Sequence, residues 1–276
     1  MFRLRPRVLP GFGLSFGVAS VYLSLMVLAP LIALAAKAAG LGWAGFLEQT
    51  TGPRALASFQ VTVGSALAAT AFNALFGLVL AWILVRYRFW GRRLLDAAID
   101  LPFALPTSVA GIALVSLFAP NGWLGAPLQA LGVKVVYTPL GIALAMAFTS
   151  LPFVVRALQP ALADLEGEIE EAAVSLGASS GAVVRRIIAP ALAPALAAGC
   201  ATGFGRSLGE YGAVIFIAGN LPKQTEVTAL LAYIRLEEFD YPSAAALSIV
   251  LMAVGGGTML LSNLFQFHRA RLEGRS

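Results

Sequence analysis

Apolar residues run through this chain in long, almost uncharged stretches, separated by short charged or Gly/Pro-rich segments. Six stretches stand out, at about Phe12–Ala36, Val61–Val85, Leu101–Phe118, Pro139–Val155, Ala191–Ala218 and Ala244–Phe267. At about 1.5 Å per helical residue, stretches of about 18 residues or more can cross the ~30 Å hydrocarbon layer of a membrane. Backbone groups in lipid need partners within the segment, so such stretches predict helices. A β-barrel would instead show short alternating segments. The expected fold is therefore all-α, a polytopic membrane protein of about six transmembrane helices forming one domain over residues 1–276. Leu101–Phe118 and Pro139–Val155 are the shortest of the six. Arg3, Arg5 and Arg7 precede the first stretch in the manner of a signal peptide, but the uncharged run from Val8 to Ala36 is much longer than the ~7–15 residues of a signal core. It reads as an uncleaved first helix.

Composition sharpens this reading. Hydrophobic residues make up 59% of the 276 and charged residues 12%, against roughly 25% charged in soluble domains. The net charge of +5 does not point to nucleic acid, because the basic residues sit between apolar runs, where they set orientation. With the N-terminus inside, the inward segments hold Arg3, Arg5, Arg7, Arg86, Arg88, Arg92, Arg93, Arg156, Arg185, Arg186, Arg269, Arg271 and Arg275, thirteen in all. The outer loops hold five, Lys37, Arg54, Lys134, Lys223 and Arg235. The bias predicts both termini in the cytoplasm. The outer loop at 37–60 has room for a short interfacial helix.

The longest inward loop, Arg156 to Pro190, has an unusual composition. Its front carries Asp164, Glu166, Glu168, Glu170 and Glu171, and its rear carries Arg185 and Arg186. Residues 171–176 favour helix. Gly177 can end that helix, Ser179 and Ser180 can cap another, and Pro190 suits entry into the fifth stretch. The loop thus predicts helix, glycine turn, helix. A helix so short is marginal alone in water and needs something to pack on.

Glu171-Ala172-Ala173, three residues, Gly177, nine residues, Ile187, one residue and Ala189-Pro190 resembles the EAA loop of permease subunits in ATP-binding-cassette importers, with Ala189 where leucine is usual. The resemblance extends along the chain. Val8–Phe12, Ala81–Leu84 with Arg86–Phe89, Asp100–Thr107, Ala147–Arg156, Arg206–Asn220 and Arg235–Pro242 are similar to the T-type permease of sulfate/thiosulfate importers, and molybdate and tungstate permeases share a looser form. The resemblance implies a type I importer fold whose cytoplasmic coupling helix sits in a cleft of an ATPase. The coupling residues it implies are Glu171, Ala172, Ala173, Gly177, Ile187 and Pro190. It implies an inner-membrane complex with a W-type permease subunit, two ATP-binding subunits and a periplasmic sulfate/thiosulfate-binding protein. ATP and Mg would belong to the partner ATPase, with no cofactor on this chain.

Arg206 and Glu210 are the only ionisable residues well inside a predicted span. Charge there is costly and faces a bundle interior or a wet cavity. Their spacing of four allows them to pair. Three roles stay open: a structural pair, a contact or gate between permeases, and anion handling by Arg206. Ser207 lies between them. Proline and hydroxyl residues cluster at Pro102, Pro106, Thr107 and Ser108 and at Thr149, Ser150 and Pro152. Prolines free backbone amides, which with hydroxyls could line a path for an oxyanion. Gly199/Gly203 and Gly205/Gly209 are small-residue spacings that permit close helix contact, within this chain or with another.

The sequence holds no Gly-x-x-x-x-Gly-Lys-Ser/Thr loop for ATP. Its one histidine, His268, and one cysteine, Cys200, form no nucleophilic or metal-binding constellation. A catalytic role is not expected. A secondary anion transporter would show inverted repeats or acidic relays, and only Glu210 fits such a relay.

Overall fold

The computed structural model describes residues 12–165 and 167–272, with side chains to Phe267. Arg3, Arg5, Arg7, Glu166 and Arg275 lie outside the described residues, as do the side chains of His268, Arg269 and Arg271. The described residues form helices joined by turns, with no strand among them. They are α1 (Phe12–Ala39), α2 (Gly42–Thr51), α3 (Pro53–Arg86), α4 (Arg92–Ile99), α5 (Leu101–Ala104), α6 (Thr107–Phe118), α7 (Gly125–Ala130), α8 (Pro139–Ala163), α9 (Gly167–Ser175), α10 (Ser180–Leu208), α11 (Val214–Ala218), α12 (Thr228–Glu237) and α13 (Tyr241–Leu272).

Five of these, α1, α3, α8, α10 and α13, are long and apolar enough to cross a membrane. The third predicted stretch is instead broken. Leu105 and Pro106 are extended, and α6 restarts at Thr107 as a 12-residue helix. Pro106 lacks an N–H and biases Leu105 away from helical geometry, which separates α5 from α6. The fifth stretch is also broken: α10 stops at Leu208, residues 209–213 turn, and α11 resumes at Val214. The segment at 37–60 does contain a short helix, α2. The spans are longer than hydropathy alone draws them, because α3 starts at Pro53, α8 continues to Ala163, and α10 begins at Ser180 inside the charged loop.

The centre of the bundle is α3, α8 and α10. One apolar cluster joins Ala66, Ala69, Ile142, Ala145, Met146, Phe204, Leu208, Val214 and Ile217. A second joins Leu80, Ala81, Leu84, Ile99, Val154, Val155, Leu158, Val183, Ile188 and Leu192. Without a hydrophobic gain from leaving lipid, helix association depends on close contact and internal polar bonds. Gly199 supplies such contact: a Cβ there would stand 3.0 Å from the Ala157 Cβ and the Val154 Cα of α8. This Gly spacing therefore serves packing within the chain. Asn73, at the middle of α3 and buried, donates from Nδ2 to the Ala147 carbonyl and to Ser150 Oγ, both at 2.9 Å. Helix α1 stands apart along most of its length and packs on α13 only through its last turns, where Ala38 and Leu34 meet Ala245, Ala246 and Ile249.

Polar latches close both ends. At one, Arg54 donates from Nε and Nη2 to both Glu226 oxygens at 2.8 and 2.7 Å, and the Glu226 side chain is wholly buried. Beside it, the Thr228 N–H donates to Thr62 Oγ1 at 2.8 Å, and Ser58 Oγ lies 3.2 Å from Thr228 Oγ1. Removing one partner of a fully buried pair costs about 3–5 kcal/mol, and the 38% exposure of Arg54 reduces that cost here through solvent screening. Arg54→Ala is therefore expected to lower the thermal midpoint of the purified assembly, with Glu226→Gln lowering it less. Equal midpoints for wild type and Arg54→Ala would show that the latch contributes nothing. At the other end, Arg156 of α8 donates to Asp96 at 2.7 Å and to both oxygens of Asp100, and it also bonds Gln159. Burial opposes the charge on Asp96, but hydrogen bonds from Gln159 and Arg156 hold its carboxyl below the usual carboxylate range. This network seats α4 on α8.

Candidate functional site

The Arg156–Pro190 segment folds as helix, glycine turn, helix. Glu168 and Glu170 occupy the first turn of α9, where carboxylates favour the helix dipole. Gly177 takes φ +85°, a conformation costly for side-chain-bearing residues, and the Ala178 N–H donates to the Ala173 carbonyl at 3.0 Å. Ser179 then caps α10, accepting from the Ala182 N–H at 3.4 Å. No separate second loop helix forms, because α10 runs on through Pro190 into the span.

Helix α9 has two faces. Inward, Ala173 packs beside the Leu84–Val183–Ile188 cluster, and Glu170 pairs with Arg86 at the end of α3. The Arg86 guanidinium carbon also lies 5.4 Å from the centre of the Trp82 ring, a cation–π arrangement. Outward, Glu171, Ala172, Val174 and Leu176 are exposed, Leu176 at 89%. Between α9 and the start of α10 lies a groove of 500 Å³, lined by Trp82, Glu171, Val174, Ser180 and Val184 among others. Ile187 is half-buried on the core, while Ala189 and Pro190 are exposed. Ala189 borders an apolar groove of 270 Å³ with Leu78, Val79, Trp82 and Leu192. A leucine at this position would reach further into that groove.

The break between α10 and α11 gathers a second set. Arg206 is in the last turn of α10, and Glu210 follows the helix end. Their side chains meet at 2.8 Å, with Glu210 1% exposed and Arg206 34%. That contact lies out of line for a hydrogen bond. The other Glu210 oxygen accepts from the Ala213 N–H at 3.0 Å, which holds the turn. Ser207 is buried and donates to the Gly203 carbonyl. The turn fits tightly on the start of α6. A Cβ on Gly212 would stand 2.0 Å from Thr107 Oγ1, and one on Gly111 would stand 2.5 Å from the Ala213 carbonyl oxygen. Thr107 and Ser108 thus sit beside the Arg206–Glu210 turn, with Ser108 exposed. Thr149 and Ser150 do not join them at an open surface. Both are buried in α8 and donate to the Met146 carbonyl, and Ser150 also receives Asn73.

Arg86, Trp82 and Asn73 were not distinguishable as site residues by sequence. Arg86 counts there as one more inward basic residue, and its carboxylate partner is 84 positions away. Asn73 is a detectable signal in retrospect, being the one amide side chain in the uncharged stretch from Val61 to Val85.

Residues 73–271 match the family of the binding-protein-dependent transport system inner membrane component. Relatives cover nearly the whole chain. The sulfate transport system permease protein CysT of Escherichia coli (strain K12) is 55% identical over 247 residues, 90% of this chain and 89% of that protein. The protein of the same description in Synechocystis sp. is 45% identical over 249 residues, 90% and 87% of the two chains. Among solved structures, a bacterial ABC transporter involved in the import of the acidic polysaccharide alginate superposes with a TM-score of 0.73 at 17% identity, over 94% of this chain and 96% of that one. The shared architecture is that of an ABC transporter permease, and the five long apolar helices make the chain a multi-pass membrane protein. With its family model spanning both the α9 loop and the broken α10–α11 span, the chain belongs to the binding-protein-dependent transport system inner membrane components.

Proposed function

We propose that this chain is the permease subunit through which sulfate or thiosulfate crosses the inner membrane, driven by ATPase subunits that dock on α9. The observation that carries the reading is α9 itself. It is a short helix held by Gly177 and Ser179, with an acidic and apolar face turned out to solvent and Glu170 tied back to Arg86 of α3. The sulfate assignment is supported by sulfate transport system permease relatives, one of them 55% identical. The basic-residue bias supports an orientation with both termini, α9 and the Arg156–Asp96–Asp100 network on the cytoplasmic side.

In this reading the complex holds this chain, a W-type permease, two ATP-binding subunits and a periplasmic anion-binding protein. ATP and Mg reside on the ATPase. ATP-driven approach of the two ATPases displaces α9. Its motion passes to α3 through Glu170, Arg86 and Trp82, and to the core of α8 and α10 through Ala173. The anion passes the α10–α11 break, where Arg206 supplies positive potential and Glu210 limits how tightly it holds. Thr107, Ser108 and Ser207 surround that turn, while Thr149 and Ser150 brace the wall behind it.

Uptake by the purified complex in proteoliposomes tests the assignment, with radiolabelled sulfate and competing thiosulfate and molybdate. ATP-dependent sulfate uptake inhibited by thiosulfate and little affected by molybdate is expected. Preferential inhibition by molybdate would overturn the substrate, and uptake without ATP would overturn the importer reading.

A further inference from the structure

The segment from Tyr87 to Leu94, joining α3 to α4, has no role in the transport reading. Tyr87 is extended, Gly91 takes φ +89°, and the turn delivers Arg88, Phe89, Trp90, Arg92, Arg93 and Leu94 to the surface. Trp90 is 100% exposed and Leu94 76%. Helix α4 is sided. Ile99 is buried and Leu95 packs inward, while Asp96 and the following Asp100 are held by Arg156 of α8. Arg86 is already engaged by Glu170. Among the described residues no carboxylate lies within ion-pair distance of Arg88, Arg92 or Arg93. The outward surface is therefore cationic and aromatic, with the α4 acid Asp96 held by Arg156 although the Arg92 charge also reaches it.

Its level follows from α8. That helix begins at Pro139, and ~30 Å of hydrocarbon takes about twenty helical residues. Arg156 and Gln159, which hold Asp96 and Asp100, therefore stand at the far boundary of the hydrocarbon. Helix α4 lies at that boundary, and α5 turns back inward from it, with Phe103 edge-on to Phe153 of α8 at 5.2 Å. Tryptophan partitions to this depth, and guanidinium pairs bidentately with phosphate.

We propose that Tyr87–Leu94 is a binding surface for anionic phospholipid. Arg88, Arg92 and Arg93 take the phosphate and charged headgroup, and Trp90 and Leu94 lie against the upper acyl chain. Each basic residue near an anionic leaflet favours the lipid by a factor of about five, so the three arginines together discriminate against neutral lipid by on the order of a hundredfold. The surface acts in whichever leaflet it faces, independently of the direction in which the chain is inserted.

The intact complex in nanodiscs tests this. One set contains phosphatidylcholine alone and the other a mixture with phosphatidylglycerol, each lipid brominated in turn. Quenching assigned to Trp90, by difference from Trp90→Phe, is expected to be stronger with brominated phosphatidylglycerol than with brominated phosphatidylcholine. Native mass spectrometry should find phosphatidylglycerol retained. The Arg88→Gln/Arg92→Gln/Arg93→Gln variant should lose this preference, and the exposed single change Arg93→Gln should reduce retention about fivefold without affecting assembly. Unchanged lipid preference in both variants overturns the proposal. So does loss of ATPase or second-permease subunits from Arg93→Gln with lipid retention intact, which would make the surface a protein contact.

Discussion

Replacing Arg206 with alanine is expected to abolish anion uptake while the complex still assembles. The Glu210 carboxylate is 1% exposed and meets Arg206 at 2.8 Å. Deleting the cation leaves a buried charge uncompensated, a cost of about 3–5 kcal/mol in general, within a span where charge is further penalised. The same carboxylate holds the Ala213 N–H, and Gly212 beside it touches Thr107. Losing the pair therefore loosens the 209–213 turn against α6 at the point proposed for anion passage. Structural and functional roles separate in a second variant. Arg206→Met with Glu210→Gln removes both charges and retains side-chain length, so a purely structural pair would be replaced with uptake largely retained. If Arg206 supplies potential to the anion, this double variant assembles and melts near wild type but transports nothing. Near-normal uptake by Arg206→Ala would sink both the gate and the anion-handling readings.

The second large effect is expected at α9. Glu171→Lys should leave ATP hydrolysis by the assembled complex running while sulfate uptake falls about tenfold or more. Glu171 is exposed and has no side-chain partner within the described chain, so reversing its charge does little to this subunit's own fold. Its effect lies on whatever α9 docks against. Gly177→Asp should act differently. No atom lies within 4 Å of the added Cβ, but φ is +85°, which costs a residue with a side chain about 1–2 kcal/mol. Relief of that strain shifts α9 relative to the Ser179 cap, and hydrolysis and uptake again part company. The ratio of sulfate transported to ATP hydrolysed in proteoliposomes measures both. A wild-type ratio in both variants would mean that this loop does not couple.

These experiments probe features that differ in how far the sequence reveals them. Helix α9 was legible because its signals are local: helix-forming residues from Glu171, a glycine able to take positive φ, and a serine cap. Each acts within a few residues, and the structure places each where those preferences predict. The start of α10 at Ser180 was less legible. Arg185 and Arg186 break the hydropathy that marks a membrane helix, though they do not break a helix. The interruption at Leu105–Pro106 was signalled by proline, yet its outcome, a 12-residue α6, depends on Gly111 and Ala213 meeting closely enough to fix the break. Arg206 and Glu210 share a spacing that suggested one helix face. In the structure Glu210 lies beyond the helix end, still meets Arg206 at 2.8 Å, and binds the next turn with its other oxygen.

By itself the sequence determined that the chain is an all-helical membrane protein, roughly where its long apolar helices run, and where its helix–glycine–helix loop lies. Those properties depend on hydropathy and on backbone preferences summed over neighbouring residues. Only the tertiary structure decided which polar groups answer one another: Arg86 with Glu170, Asn73 with Ser150, Arg54 with Glu226, and Arg156 with Asp96 and Asp100. Partners of this kind lie up to 172 positions apart. A buried or interfacial charge requires a partner, but electrostatics does not say which one. That choice is made by packing, through small residues such as Gly199 in a helix and Gly212 in a turn, which let neighbouring elements approach and so settle which side chains meet.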